Sequence, residues 1–161
     1  MTVTFREAAL GDGLAISEVV RDTGVLDVNS TYCYHLLSHY FGSTTVVALD
    51  GGRVIGFVSG YITPKDPSVA FLWQIGFLPS YQGQGLGGRL LDYWRSLPAL
   101  SAVSALQTTI SPDNTASQGL FRSWSVKRGF GITCQPFLSA AHFGSASHEP
   151  EDLYIIETGI L

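Results

Sequence analysis

Tyr81-Gln82-Gly83-Gln84-Gly85-Leu86-Gly87-Gly88 joins a strand-like run, Ala70 to Leu78, to a helix-like run, Leu86 to Leu97. The four glycines of this glycine loop let the backbone approach a ligand where side chains would obstruct it. The first turn of a helix leaves N–H groups without intrahelical partners, and these groups carry the positive end of the helix dipole. Glycines just before such an end form a seat for phosphate. The loop therefore predicts a site for a phosphorylated ligand.

Different interpretations of the glycine loop are possible on the residues alone. Gly83, Gly85 and Gly88 match the G-x-G-x-x-G fingerprint of dinucleotide sites. That fingerprint usually follows the first strand of a fold and needs an acidic residue about 20 positions later. Here the loop lies mid-chain, and residues 103–107 contain no carboxylate. A Walker-type loop is excluded because no Gly-Lys-Ser/Thr follows. A connection that binds no ligand is the plainest alternative.

Length and composition predict one domain, residues 1–161. The chain has 161 residues, of which 45% are hydrophobic and 14% charged, as expected of a well-buried globule. The net charge of −4 and the lack of a Lys/Arg run argue against nucleic acid and against an anionic membrane as partners. No apolar run approaches the ~18 residues of a membrane span.

Cysteine content and the first residues predict a cytoplasmic location. Cys33 and Cys134 fit no metal-site spacing and are too few to staple a domain of this size. Residues 1–10 carry Arg6 and Glu7 and lack the pattern of a secretory signal.

The pattern of apolar residues predicts a mixed α/β sheet in the order β-αα-β-β-β-α-β-α-β-β. Asp12 is expected to cap the first helix, and a second, short helix is expected over residues 32–41. Alternating or β-branched runs on either side of Gly51-Gly52 indicate a hairpin. The remaining strands are predicted at 70–78, 105–110, 132–137 and 153–160, and the remaining helices follow Gly85 and Asp113.

Two motifs resemble the GNAT acetyltransferase superfamily. Gln82-x-x-Gly85-x-Gly87 resembles its pyrophosphate loop, and Thr108 to Phe121 resembles its strand-turn-helix, in which Asn114 begins a helix that faces coenzyme A. The resemblance implies acetyl-CoA as co-substrate, no metal, and a mostly antiparallel sheet that is splayed at the acetyl-CoA site and flanked by helices. The implied acetyl-CoA residues are Ile75, Gly76, Phe77, Gln82, Gly83, Gln84, Gly85, Leu86, Gly87, Gly88, Asn114 and Ser117.

A narrower resemblance, to the diaminobutyrate acetyltransferases within that superfamily, covers the chain from about Phe5 to Leu161. The segments that carry it are 24–34, 71–74, 106–109, 135–137 and 148–154. Those enzymes acetylate the γ-amine of L-2,4-diaminobutyrate on the route to ectoine, an osmolyte, and GNAT enzymes are often homodimers. Gln107 and the segment 155–158 depart from the family's pattern. Another small diamine as acceptor therefore remains open, as does a non-catalytic sensor that binds acyl-CoA.

The acceptor of such an enzyme carries two ammonium groups, so its site needs anionic side chains. Asp27 is a natural ammonium partner, although it could instead cap the helix that follows, a role open also to Asn29 and Ser30. Trp73 could form a wall of the pocket or stack on a cation, or simply belong to the core. The substrate-binding residues expected from the resemblance are Asp27, Asn29, Trp73, Gln74, Thr108 and Glu149.

Acetyl transfer also requires that the amine lose a proton. His148 and Glu151 are the candidates for removing it, although a solvated acidic loop is the alternative. The superfamily often uses a tyrosine to protonate the leaving thiolate, but the matching region here, Gly119-Leu120-Phe121, has no hydroxyl. Tyr32 is the candidate for this role, with Tyr34 or solvent as alternatives. His35 and His39 have the spacing of a metal pair but no third ligand, and are expected at the surface.

Overall fold

The computed structural model describes residues 2–144 and 148–161 and contains the predicted elements in the predicted order. The strands are β1 (Val3–Glu7), β2 (Val46–Asp50), β3 (Arg53–Ile62), β4 (Val69–Phe77), β5 (Ala105–Ile110), β6 (Gly131–Leu138) and β7 (Glu151–Glu157). The helices are α1 (Gly13–Thr23), α2 (Thr31–Tyr40), α3 (Leu86–Arg95) and α4 (Thr115–Arg128). Short 3₁₀ turns connect several of them.

The strands form one seven-stranded sheet in the order β1-β2-β3-β4-β5-β7-β6. Every neighbouring pair is antiparallel except β4 and β5, which are parallel. Helices cover the sheet, with α1 against β3 and β4 and with α3 against β2, β3 and β4. The predicted mixed sheet, mostly antiparallel and flanked by helices, is confirmed.

The sheet opens between β4 and β5. Their pairing covers only Val69–Phe71 against Ala105–Gln107, after which the two strands diverge. In the same region Trp73 is a bulge, because Gln74 pairs with Ser59 while Leu72 already pairs with Gly60. A bulge bends and twists its strand, so β4 turns away from β5 from this point on. The result is a gap that begins in the middle of the sheet.

The helix caps differ from the prediction in one place. Asp12 lies at the start of α1, but its side chain makes no cap hydrogen bond and instead accepts from the Arg6 guanidinium and the Ala9 amide. Ser30 caps α2 by accepting from the Cys33 amide at 3.2 Å. Because Ser30 fills that role, the Asp27 carboxylate is available for another.

Helix length and polarity bear on the membrane question. Within residues 2–144 and 148–161, no helix combines the length and the apolar character that a membrane span requires.

Candidate active site

The gap between β4 and β5 is a cavity of about 800 Å³. Four parts of the chain line it: the loop between α1 and α2, the divergent half of β4, the end of β5 with the start of α4, and the segment that leads into β7. The lining residues that matter below are Asp27, Asn29, Trp73, Gln74, Ile75, Thr108, Thr109, Asn114, Ser117, Phe121, His148, Glu149 and Glu151. Residues as far apart in the sequence as Asp27 and Glu151 therefore meet in one space.

The glycine loop leads into the start of α3. Gly83 and Gly85 have φ values of 72° and 73°, a region that side chains rarely adopt. Arg89 donates its backbone amide to Gly85 O at 3.4 Å. Within the described residues, no amide between residues 83 and 88 donates to a backbone oxygen. The amides of residues 83–88 are thus free at a helix N-terminus, as a diphosphate group requires.

The glutamines of the glycine loop support the loop itself. Gln82 Nε2 donates to Phe77 O at 3.0 Å, and Gln84 Nε2 donates to Ser80 O at 3.0 Å. Their side chains brace the turn from within, so the ligand-facing donors are backbone amides. Leu86 is buried and anchors α3, and Gly87 lets α3 approach α4, because a Cβ there would lie 2.9 Å from Leu120 Cδ1.

A second helix start faces the cavity. Asn114 caps α4, and its Oδ1 accepts from the Ser117 amide at 3.1 Å. Both residues line the cavity. Their position is compatible with the predicted contact to acetyl-CoA, and Asn114 also stabilises the start of α4 through its cap hydrogen bond.

The divergent half of β4 supplies unpaired backbone. Beyond Phe71 the edge of β4 that faces β5 has no strand partner. Ile75 lines the cavity, whereas the Phe77 side chain is 7% exposed and lies against Gly56, which leaves only its backbone available. Backbone N–H groups on a free edge are the type of donor that stabilises a developing oxyanion.

Asp27, His148 and Glu151 form a cluster at the cavity. One side-chain atom of each lies within 4.8 Å of the others. Asp27 is held by the loop between α1 and α2, whereas His148 and Glu151 come from the segment that leads into β7. A cluster of two carboxylates and an imidazole can hold a metal ion or an ammonium group.

His148 is hydrogen-bonded through both ring nitrogens. Nε2 lies 2.9 Å from Asp27 Oδ2, and Nδ1 lies 2.6 Å from the backbone oxygen of Glu149. An ionised carboxylate and a carbonyl oxygen can only accept hydrogen bonds, so these contacts favour the form of the ring that carries both protons. The Asp27 carboxylate, with help from the Glu149 carbonyl, raises the pKa of His148 above its ordinary value.

Titration of His148 tests this pairing. We expect its imidazole, followed by NMR, to have a raised pKa, and Asp27→Asn to bring that pKa back toward the ordinary value of 6.5. Because the folded pKa is raised, the charged ring stabilises the fold below about pH 6.5, and this contribution disappears as the pH rises through the folded pKa. Asp22→Asn on α1 is the matched control. The same titration in wild type and Asp27→Asn would contradict the pairing.

The surroundings of Glu151 favour its neutral form, whereas those of His148 favour its charged form. It is half-buried, and burial raises its pKa above the ordinary carboxyl value, although a hydrogen bond from Thr109 partly opposes this. A carboxylate with a raised pKa is a better proton acceptor than an exposed one. Because the contacts of His148 favour its protonated form, Glu151 is the better placed of the two to act as a base.

Three of the predicted acceptor residues lie at the cavity with side chains of different availability. Trp73 is 41% exposed, so it is a wall of the cavity and not a core residue. Thr108 is 3% exposed and contributes to the base of the cavity. Gln74 is 6% exposed, and both ends of its amide are engaged within the protein. Direct binding of substrate by Gln74 stays a prediction, while its two hydrogen bonds show that it also supports the surrounding loop.

The structure places the predicted tyrosine acid elsewhere. Tyr32 is 71% exposed and is not among the residues that line the cavity, so the structure does not bring it to the site, and its role as the acid stays a prediction. Tyr34 is fully buried, and its hydroxyl is hydrogen-bonded to Gln74. Gln107 lies in the paired half of β5, opposite Phe71, and not at the cavity.

Two residues that contact the Asp27–His148–Glu151 cluster were not predicted from the sequence. Thr109 also lines the cavity and donates to Glu151, and its place next to the predicted Thr108 near the end of β5 could have indicated it. Phe143 stacks on the His148 ring, with the ring centroids 3.9 Å apart. Nothing in the sequence around Phe143 signals this contact.

Comparison with known proteins agrees with this geometry. Residues 16–124 match the acetyltransferase (GNAT) family. The L-2,4-diaminobutyric acid acetyltransferase of Nocardia farcinica is 43% identical over 96% of this chain and 80% of its own length. That of Streptomyces coelicolor is 40% identical over 91% and 88%. The diaminobutyrate acetyltransferase EctA of Paenibacillus lautus, solved with its substrate L-2,4-diaminobutyric acid and coenzyme A, superimposes with a TM-score of 0.94 at 34% identity, covering 98% of this chain and 95% of that one.

Proposed function

The chain belongs to the acetyltransferase (GNAT) family, and from that premise we propose that it acetylates the γ-amine of L-2,4-diaminobutyrate. It is an acyltransferase that uses acetyl-CoA. The observation that carries the choice of acceptor is the pair of carboxylates, Asp27 and Glu151, at the cavity beside an unpaired edge of β4. Two anionic groups suit an acceptor with two amines. In the relatives that share this chain's full fold, the named substrate is such a diamine.

The donor side of the proposal rests on backbone groups. Acetyl-CoA supplies the activated acetyl group as a thioester. The free amides of residues 83–88 receive its diphosphate, and the start of α4 at Asn114 and Ser117 lies along the path to the cavity. Direct attack by the amine needs no nucleophilic residue of the protein. Positioning of the two reactants alone can contribute up to ~7–11 kcal/mol.

The acceptor side depends on the Asp27–His148–Glu151 cluster. Asp27 holds an ammonium group, and the Trp73 ring provides a wall against which the aliphatic part of the acceptor rests. A γ-ammonium group has a pKa of roughly 10, close to that of lysine, so it reaches the site protonated. Glu151 takes up that proton, because its pKa is raised and its carboxylate belongs to the same cluster.

The chemical step then follows. The neutral γ-nitrogen forms a bond to the carbonyl carbon, and the backbone N–H of Ile75, on the free edge of β4, stabilises the oxyanion, whereas the N–H of Gly76 faces β3 as those of Gln74 and Leu78 do. The attacking nitrogen, positively charged once the bond has formed, gives its second proton to water, and as the intermediate collapses the C–S bond breaks and the thiolate leaves. Phe121 lines the cavity and carries no hydroxyl, so we assign the proton that the thiolate takes up to water.

The proposal has a direct test. Thiol release from acetyl-CoA is measured with L-2,4-diaminobutyrate, ornithine and lysine in parallel, and the product is analysed by mass spectrometry. We expect a preference for diaminobutyrate, with the acetyl group on the γ-nitrogen. Turnover of only another amine would overturn the acceptor assignment. Coenzyme A binding without turnover of any amine would favour a sensor.

We also propose that the enzyme is a cytoplasmic homodimer that serves ectoine synthesis. The dimer rests on analogy with GNAT enzymes and is tested by sedimentation equilibrium. The cytoplasm is proposed because acetyl-CoA is available there and because Cys33 and Cys134 are free thiols. The pathway is tested by the ectoine content of cells with and without the gene under salt stress.

A further inference from the structure

The acceptor loop, residues 24–30 between α1 and α2, has no regular structure and carries Asp27. The Asp27 side chain is 75% exposed, and its carboxylate bonds to His148 across the cavity. An exposed carboxylate on an irregular loop would sample many positions unless the backbone beneath it were fixed. The position of Asp27 therefore depends on what holds the backbone of the acceptor loop.

A buried amide on β4 reaches that backbone. Gln74 Nε2 donates to the Asp27 carbonyl oxygen at 2.8 Å, and Gln74 Oε1 accepts from the Tyr34 hydroxyl at 3.0 Å. The Gln74 main chain is itself fixed at the bulge, where its amide donates to Ser59 Oγ at 3.3 Å. One end of this side chain must donate and the other must accept, which glutamine satisfies and an ionised glutamate does not.

Tyr34 ties the other end of the loop to the same point. Its hydroxyl accepts from the Asn29 backbone amide at 3.3 Å, and Asn29 Nδ2 lies 3.4 Å away. The ring is completely buried and packs edge-on against Phe57. Since α2 begins just after the loop, the buried Tyr34 ring fixes the C-terminal end of the loop.

Gly76 allows the first part of the loop to lie close to β4. A Cβ at this position would come within 2.9 Å of Leu26 Cδ1 and 3.3 Å of Thr23 Cγ2. The loop is therefore packed on the same strand that also carries Trp73 and Ile75 at the cavity.

We propose that Gln74 and Tyr34 are positioning residues that fix the acceptor loop to β4 and so set the place of the Asp27 carboxylate opposite His148 and Glu151. This assignment rests on the proposed function in so far as Asp27 binds the acceptor. The reason for the pair is geometric: a misplacement of about 1 Å at a binding group can cost on the order of 10²-fold in rate. The side-chain hydrogen bonds of the pair run to each other and to the acceptor loop, so we expect its effect to fall on the acceptor and not on acetyl-CoA.

The test compares Tyr34→Phe and Gln74→Met with Ser38→Ala. The first two keep volume and remove the polar link. The third removes a buried hydroxyl on the same helix, whose hydrogen bond to Tyr34 O at 2.8 Å does not involve the loop. We expect the KM for the acceptor to rise about tenfold or more in both link variants, since loss of such a bond leaves a buried partner unsatisfied. The KM for acetyl-CoA should stay within about twofold, as should both constants in Ser38→Ala.

A readout without substrate separates this proposal from the proposed function. In Tyr34→Phe and Gln74→Met, displacement of Asp27 should lower the pKa of His148, measured by NMR, while Glu149, Glu151 and Asp152 remain in place around it. An unchanged His148 titration, or equal effects on both KM values, would overturn the positioning role. If wild type does not acetylate diaminobutyrate, the proposed function fails, yet the His148 titration still decides the role of the pair. Should Tyr34→Phe fold poorly, Gln74→Met alone carries the test.

Discussion

Glu151→Gln lowers kcat by roughly 10²–10⁴-fold, the range that general base assistance supplies. The amide keeps the size of the side chain but accepts no proton. Because burial raises the pKa of Glu151, wild-type activity should rise with pH through that raised pKa, and the variant should lose this limb of the profile. Rates with L-2,4-diaminobutyrate are measured between about pH 5 and pH 10, so that both the carboxyl group and the amine are covered.

Stability distinguishes this loss from damage to the fold. An acid whose folded pKa is raised is destabilising when ionised, so removal of the charge should leave the melting temperature of Glu151→Gln unchanged or higher. Glu157→Gln, at the exposed far end of β7, is the matched control and should keep full activity. A pH profile of Glu151→Gln that superimposes on that of wild type would remove Glu151 from proton transfer.

Gly85→Val raises the KM for acetyl-CoA by roughly 10–100-fold and leaves the acceptor KM little changed. Gly85 has φ of 73° at the start of α3, so a β-branched side chain strains the turn and crowds the amides that receive the diphosphate. Loss of one or two charge-assisted hydrogen bonds accounts for the size of the effect. The measurement is steady-state kinetics with each substrate varied in turn.

A matched control separates strain from ligand contact. Gly52 in the β2–β3 hairpin has φ of 81° and, like Gly85, open space around its missing Cβ. Gly52→Val should cost a similar amount of stability without a change in donor kinetics. Unaltered acetyl-CoA kinetics in Gly85→Val would refute the assignment of the glycine loop.

The order of the elements could be predicted because it depends on local patterns. Alternation gave β3 and β5 with their correct limits, and the Gly51-Gly52 turn gave the hairpin. The glycine loop was recognisable because a helix start with several glycines has few other uses. These signals lie within short segments, where the chemistry of neighbouring residues decides the backbone.

The inner organisation of the site could not be predicted in the same way. The role of Gln74 depends on a carbonyl 47 positions away, and that of Asp27 on an imidazole 121 positions away. The outward direction of Tyr32 follows from which face of α2 packs on the sheet, since Tyr34 and Leu37 are the buried residues. Asp12 had a competing partner in Arg6, and ion pairing prevailed over capping.

The short pairing of β4 with β5 divides the sheet into two parts, β1 to β4 and β5 to β7, which are joined by only three residue pairs. The acceptor loop is hydrogen-bonded to the first part through Gln74, whereas His148 and Glu151 belong to the second part, next to or within β7. The hydrogen bond between Asp27 and His148 therefore bridges the two parts of the sheet across the cavity. Motion that separated the two parts of the sheet would lengthen this hydrogen bond, so the pKa of the half-buried His148 imidazole depends on the distance between them.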